Sequence, residues 1–348
     1  MRITSVTLVI FIATIASLVS LSAFANPWLL PPGTIVISGR YDYAYADQEF
    51  LASDGKLTDF SLNGEYQASS YTLGARIGIT HYLELEVSLP FKSVSYEADP
   101  LILLPTEADG LGALDYYQEN IINFNQTVMG FGDLSLAGRF KTTTYPIASS
   151  LELKVVAPTG YRGPEGTFGN APTNLEDFVE NVGDLARPEN IRDDVTLGDG
   201  VFSFQPLIHL GFGTASGFFS RLSFGLQLRN QGAGDLVNAE AKIGQLVLPW
   251  LLVYGGAYYE ETITSGRSIG VSVAAVDSSL PATEYVGLNN LKPIVVTLDR
   301  DLLVLPVGVL FKPLPSVDLT LSYSPILWGR NVAKSHTVSV GVNILNQL

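Results

Sequence analysis

The sequence predicts an all-β fold, a transmembrane antiparallel up-and-down β-barrel of about 12 strands, with 14 as the other possible count. Three observations lead there. Apolar and polar residues alternate at period two along most of the chain, the mark of strands with one apolar face. Beyond the N-terminal segment no run of 18 or more consecutive apolar residues occurs; this argues against helical spans and leaves a closed barrel as the structure that satisfies every backbone group in hydrocarbon. The connections also differ in length by side, short turns on one rim and mostly longer loops on the other, as outer-membrane barrels arrange them. Composition agrees: the 348 residues are 47% hydrophobic and only 16% charged, yet carry a net charge of -14. Soluble domains average about 25% charged residues, so polar and apolar character must be segregated.

Residues 1–25 read as a secretory signal peptide. Arg2 supplies the positive start, Val6 to Leu21 the apolar stretch, and Ala23-Phe24-Ala25 a small-x-small cleavage site before Asn26. Residues 26–348 are then the barrel with long extracellular loops. Cysteine is absent, which excludes thiolate catalysis, thiolate zinc sites and covalent haem attachment.

In chain order, Ile35, Ile37, Gly39, Tyr41 and Tyr43 alternate with Val36, Ser38, Arg40 and Asp42. Leu73 to Ile79 and Leu83 to Leu89 form the next pair around Thr80-His81-Tyr82. Leu134, Leu136, Gly138 and Phe140 then face away from Asp133, Ser135, Arg139 and Lys141 in a stretch read as one strand from Gly130. Leu151 to Val155, Phe202 to Leu210, Leu222 to Leu228, Ala239 to Ile243 and Leu251 to Thr262 continue the series. Leu303 to Phe311, Leu319 to Tyr323 and Val338 to Ile344 close it. Aromatic residues such as Tyr41, Tyr43, Tyr71, Phe91, Trp250 and Trp328 fall toward strand ends, where interfacial girdles form.

The long connections run from Asp47 to Phe60, Ser93 to Asn125, Gly160 to Thr196 and Thr264 to Thr297. Between Thr173 and Pro188, Leu175, Phe178, Val179, Val182 and Leu185 recur at helical spacing behind Asn174 as N-cap. Apolar loops either pack on one another as a lid or offer a surface to a ligand. Tyr116, Tyr117 and Phe178 are the candidate loop contacts.

If the apolar faces meet lipid, the alternating charges line the lumen. Candidate solute-facing residues are Arg40, Arg76, Asp133, Arg139, Arg221 and Arg229. A basic-leaning wall attracts small anions by focusing the field in a narrow pore. The competing and favoured reading is that most of these charges pair across neighbouring strands, because buried charges must be compensated, leaving one or two of Arg76, Arg139 and Arg221 for a solute. The excess acid falls in loops, Glu176, Asp177, Glu180, Asp184, Asp193, Asp194 and Asp199 among them, where solvation is its default role.

Tyr71 to Phe91, Gly130 to Lys141 and Leu151 to Gly166 together resemble the outer-membrane transporter-like family labelled as the MetA pathway of phenol degradation, and more distantly the long-chain fatty acid transporters of the outer membrane. The resemblance rests on Gly130, Gly132 and Asp133 followed by Pro158, Thr159 and Gly160, and on the start Asn26 to Gly33. It implies a barrel for passive uptake of small, hydrophobic or aromatic compounds, with outer-membrane lipid, lipopolysaccharide and the solute as its partners. It implies no catalytic residue, and no cofactor is expected. Two other readings stand beside it. One is an outer-membrane lipid hydrolase using His209 with Ser203 and Gln205, since such enzymes need a His close to a Ser. The other is a closed structural or adhesion barrel. Three isolated histidines make no metal-site pattern, and an acidic chain without basic clusters gives no support for nucleic-acid binding.

Overall fold

The computed structural model describes residues 27–50, 56–60, 63–99, 101–102, 121–122, 125–161, 163, 195–230, 232–266, 268–274, 291–297 and 299–347. The expected signal peptide, the helix expected between Thr173 and Pro188, and Tyr116, Tyr117 and Phe178 lie outside these residues.

Twelve antiparallel strands close into a barrel. They are β1 (Thr34–Ala46), β2 (Glu65–Gly78), β3 (Leu83–Glu97), β4 (Gln126–Phe131 and Leu134–Thr143), β5 (Ala148–Ala157), β6 (Ser203–Gly213), β7 (Phe218–Arg229), β8 (Leu236–Leu248), β9 (Leu251–Thr262), β10 (Asp301–Val304 and Val307–Leu314), β11 (Val317–Arg330) and β12 (His336–Gln347). Each strand pairs with its neighbours in sequence, and β1 closes the cylinder on β12 from Thr34 opposite Gln347 to Tyr45 opposite His336. Closure leaves no bare sheet edge along that seam. The chain enters and leaves on the rim of the short turns, and short strands and hairpins extend the opposite rim.

Alternation along each strand places apolar side chains outside and polar ones inside. Leu73 is 70% exposed and Ile208 54%, whereas Glu84, Arg139 and His209 are 3% exposed or less. A soluble sheet has the opposite arrangement; an apolar exterior over a polar interior is what a hydrocarbon surround demands. Tyr41, Tyr71, Phe91 and Phe131 occupy one continuous register row across β1 to β4. Their rings touch in pairs, Tyr41 to Tyr71 at 4.7 Å and Phe91 to Phe131 at 5.4 Å between centroids. This row marks the upper interface of the apolar band.

Beyond that row the alternation changes phase. Gln67 and Ser69 share the outer face with Tyr43 and Tyr41, to which they hydrogen-bond, while Val94 turns inward and is buried. The third strand therefore continues to Glu97, past the expected loop start at Ser93. Its outer end has no apolar outer face to announce it.

Two strands expected to be continuous are broken. The opening stretch of β4 parts at Gly132-Asp133, and β10 parts at Leu305-Pro306. Each break sits beside a proline that accepts a ladder bond and has no N–H to return: Gly132 N donates to Pro90 O at 2.8 Å, and Gly256 N to Pro306 O at 2.8 Å. Past its break, the Gln126–Phe131 piece pairs with β3 alone among the described residues.

The inside-out pattern yields a test. Ile37→Arg, on the lipid face four residues below the aromatic row on β1, is expected to cost about 2–4 kcal/mol. Equilibrium denaturant unfolding from phospholipid vesicles measures it, and an unchanged midpoint would show that this face does not meet hydrocarbon.

Candidate functional site

The lumen is occupied at three levels, starting from the short-turn rim. Residues 27–33 fold back into the barrel as a strap ahead of β1. Pro27 and Leu30 are buried, and Trp28 packs against Phe219, Leu252 and Leu310, which point inward from β7, β9 and β10. The strap needs bare backbone opposite it. A Cβ at Gly211 would collide with the Pro27 ring and the Trp28 indole, and one at Gly78 with the carbonyls of Leu30 and Pro31. Gly33 N donates to Gly78 O at 2.9 Å and Leu30 N to Glu84 Oε2 at 2.7 Å. The strap is thereby tied both to β2 and to the charged layer above it.

That layer is a belt of ion pairs. Glu84, Arg139 and Glu152 lie directly opposite one another on β3, β4 and β5. Arg139 Nη1 meets Glu84 at 2.7 Å and Nη2 meets Glu152 at 2.6 Å, with Glu86 at 3.4 Å. Arg76 adds a second cation 3.6 Å from Glu84. Further round the wall Arg221 pairs with Glu240 at 2.7 Å, Lys242 lies 3.5 Å from the same carboxylate, and Lys312 pairs with Asp318 at 3.1 Å. Charges on adjacent strands at matching depth compensate each other's desolvation, which permits a charged interior at all.

His209 belongs to this belt. Its Nδ1 lies 2.8 Å from Ser223 Oγ and its Nε2 3.2 Å from Glu152. The partner hydroxyl is Ser223, not the Ser203 considered from sequence; Ser203 instead accepts from Gln227 at 3.0 Å. Although Ser, His and Glu are in line, His209 is 0% and Ser223 3% exposed, and Glu152 is held by Arg139. An ester has no approach to that hydroxyl, so the group braces the wall.

Above the belt the inner surface turns apolar. Val94, Val195 and Leu197 are buried together, with Tyr66, Ala68, Tyr96, Val128 and Tyr161 packed around them. Val195 and Leu197 come from the segment 195–201, which leads into β6 and lies inside the barrel. Lys92 Nζ donates to Leu197 O at 2.6 Å, and Gly200 N to Tyr161 Oη at 3.3 Å. Asp199 binds Arg229 at 3.1 Å and Arg300 at 3.2 Å, and Arg300 is backed by Glu260 at 2.7 Å. The Arg300 guanidinium, with Arg229 beside it, holds the Asp199 carboxyl below the usual carboxylate range. Asp199 is therefore ion-paired at the lumen wall while its side chain stays 35% exposed, where the sequence suggested an acid that is solvated only.

Each of the six predicted lumen residues has a polar partner. Arg40 pairs with Asp42 at 2.8 Å, Asp133 accepts a short hydrogen bond from Tyr161, and Arg76, Arg139, Arg221 and Arg229 pair as described. Of Arg76, Arg139 and Arg221, the three offered for a solute, Arg139 and Arg221 are buried where an uncompensated charge would be costly, and each is ion-paired. Arg300 was not singled out from sequence, and Asn26 to Gly33 entered there through the resemblance alone, with no place inside the lumen assigned to it. Arg300 stands 101 residues from Asp199, and no local pattern connects them.

The fold and lumen define a closed β-barrel of the outer-membrane type. It is similar to the crystal structure of an outer membrane channel from Pseudomonas putida F1, with a TM-score of 0.58 and 11% sequence identity, covering 93% of this chain and 100% of that one. A mutant of the TodX monoaromatic hydrocarbon channel aligns with a TM-score of 0.46 and 11% identity over 94% of each chain. No family model matches the sequence, and no curated protein matches it.

Two outcomes are expected from this geometry. Arg139→Met leaves Glu84 and Glu152 buried without their shared cation and should cost about 3–5 kcal/mol, read as a lower unfolding midpoint; a neutral result would show that the belt is not integral to the wall. Deleting Pro27 to Pro31 should raise ion conductance in planar bilayers several-fold. Unchanged conductance would mean that the strap is not the constriction.

Proposed function

We propose that this protein is an outer-membrane channel for passive uptake of small hydrophobic or aromatic compounds, exported by its N-terminal signal peptide and similar in role to the phenol-degradation transporter family its motifs resemble. The observation that carries the reading is the apolar chamber of Val94, Val128, Leu197, Tyr66 and Tyr96, set inside the lumen above the charged belt and separate from the apolar packing around the strap. A water-filled general pore gains nothing from such a patch. A route for apolar solutes needs one, since transfer of apolar surface out of water is the main available driving force without energy coupling. The outer face would contact membrane lipid and the long-loop rim lipopolysaccharide. The similarity in fold to an outer membrane channel supports this role, and the sealed surroundings of His209 and Ser223 remove the support for the hydrolase reading.

Porin-depleted Gram-negative cells expressing the protein should take up a radiolabelled monoaromatic hydrocarbon several-fold faster than control cells, with little change for a sugar of similar size. Val128→Glu, which puts a charge in the chamber, should abolish the gain. Equal uptake with and without the protein, or a gain for the sugar alone, would overturn the reading.

A further inference from the structure

The segment 195–201 carries, two residues apart, an apolar side chain in the chamber and a carboxylate on a pair of guanidinium groups. Leu197 lies against Gly130 and packs with Val94 and Val128, while Asp199 reaches Arg229 and Arg300. An apolar body joined to one carboxylate is also the chemistry of an aromatic or short aliphatic monocarboxylic acid. The chain places an internal copy of such a molecule in the chamber.

The arginines are incompletely used by this copy. Each meets Asp199 through a single Nη1 atom, at 3.1 and 3.2 Å. The Arg229 side chain is 2% exposed, and its Nη2 is buried with no hydrogen-bond partner among the described residues. A guanidinium fork matches a carboxylate best with two parallel N–H donors, so a donor is left over where a freely placed carboxylate could take it. Lys92, the third cation of the cluster, donates to the neutral Leu197 carbonyl. Lys92, Arg229 and Arg300 face Asp133, Asp199 and Glu260 as formal charges; withdrawing Asp199 leaves one cation uncompensated, which one incoming carboxylate restores.

Resting on the channel reading, we propose that Arg229 and Arg300 form a carboxylate subsite for amphipathic monocarboxylates, and that Asp199 is its built-in competitor. The solute's carboxylate takes the place of the Asp199 side chain, and its apolar body takes the place of Leu197. Binding thereby loosens the segment that fills the chamber, so occupancy and opening are one event. Neutral aromatics gain only the apolar part.

The test is titration calorimetry of the full-length purified protein in detergent with sodium benzoate and, separately, benzamide. Wild type should bind benzoate at least about tenfold more tightly than benzamide, and Asp199→Asn, which keeps the shape and removes the competing charge, should tighten benzoate by about tenfold more. Arg229→Gln and Arg300→Gln should each bring benzoate down to the benzamide level. Two variants guard against misfolding of either one, checked by heat-modifiable migration on gels. Equal binding of the two ligands in wild type, or no gain in Asp199→Asn, would overturn the subsite. If hydrocarbon uptake by cells persists alongside that result, the subsite fails and the channel stands; if uptake is also absent, both fail.

Discussion

The constraint on which everything else depends is that a strand in hydrocarbon has no water to complete its backbone hydrogen bonds. The seam between β1 and β12 answers it, turning a sheet into a cylinder with a continuous register from Thr34 to Tyr45. Once the cylinder is closed, the pleat assigns every side chain to lipid or lumen, and residues as different as Leu73 and Glu84 follow from one rule. The exceptions are local. At Pro90 and Pro306 the ladder lacks a donor, and the strand beside or containing each proline breaks there.

Closure creates a second problem in turn, because the lumen must then be filled. The belt fills it with compensated charge, the strap and the Phe219, Leu252 and Leu310 cluster fill the short-turn end with apolar packing, and the segment 195–201 fills the chamber. These are different solutions. The belt is made of side chains of the strands themselves, while the strap and the segment are irregular backbone seated inside the barrel by buried apolar side chains and by hydrogen bonds and ion pairs to the wall. On the channel reading, a solute has these two irregular pieces to displace and the belt to leave intact.

Much of this was legible in the sequence, and the limits have physical causes. Period two exposed the strands and their polarity, including Leu136 and Phe140 outward with Arg139 inward. It failed above the aromatic row, where Ser93 and Val94 exchange the usual faces, so the chamber had no sequence signature. The belt was foreseen as pairing in general, but the row of Glu84, Arg139 and Glu152 depends on register, and register depends on turn lengths that alternation does not reveal. Pro27-Trp28-Leu29-Leu30-Pro31-Pro32 has no period at all, and its burial depends on bare backbone at Gly78 and Gly211, far along the chain.

Gly33 has φ of 73°, a left-handed conformation that glycine adopts without a Cβ penalty, and it joins the strap to the first residue of β1. Pro31 and Pro32 stiffen the piece ahead of it. The plug of the short-turn end is thus continuous with the first strand, and its own residues reach no further than about 25 Å from that joint. A plug carried on the barrel's own chain occupies its seat intramolecularly, at an effective concentration independent of how much protein the membrane holds. Such a barrel carries its own filling at that end and needs no second molecule to supply it.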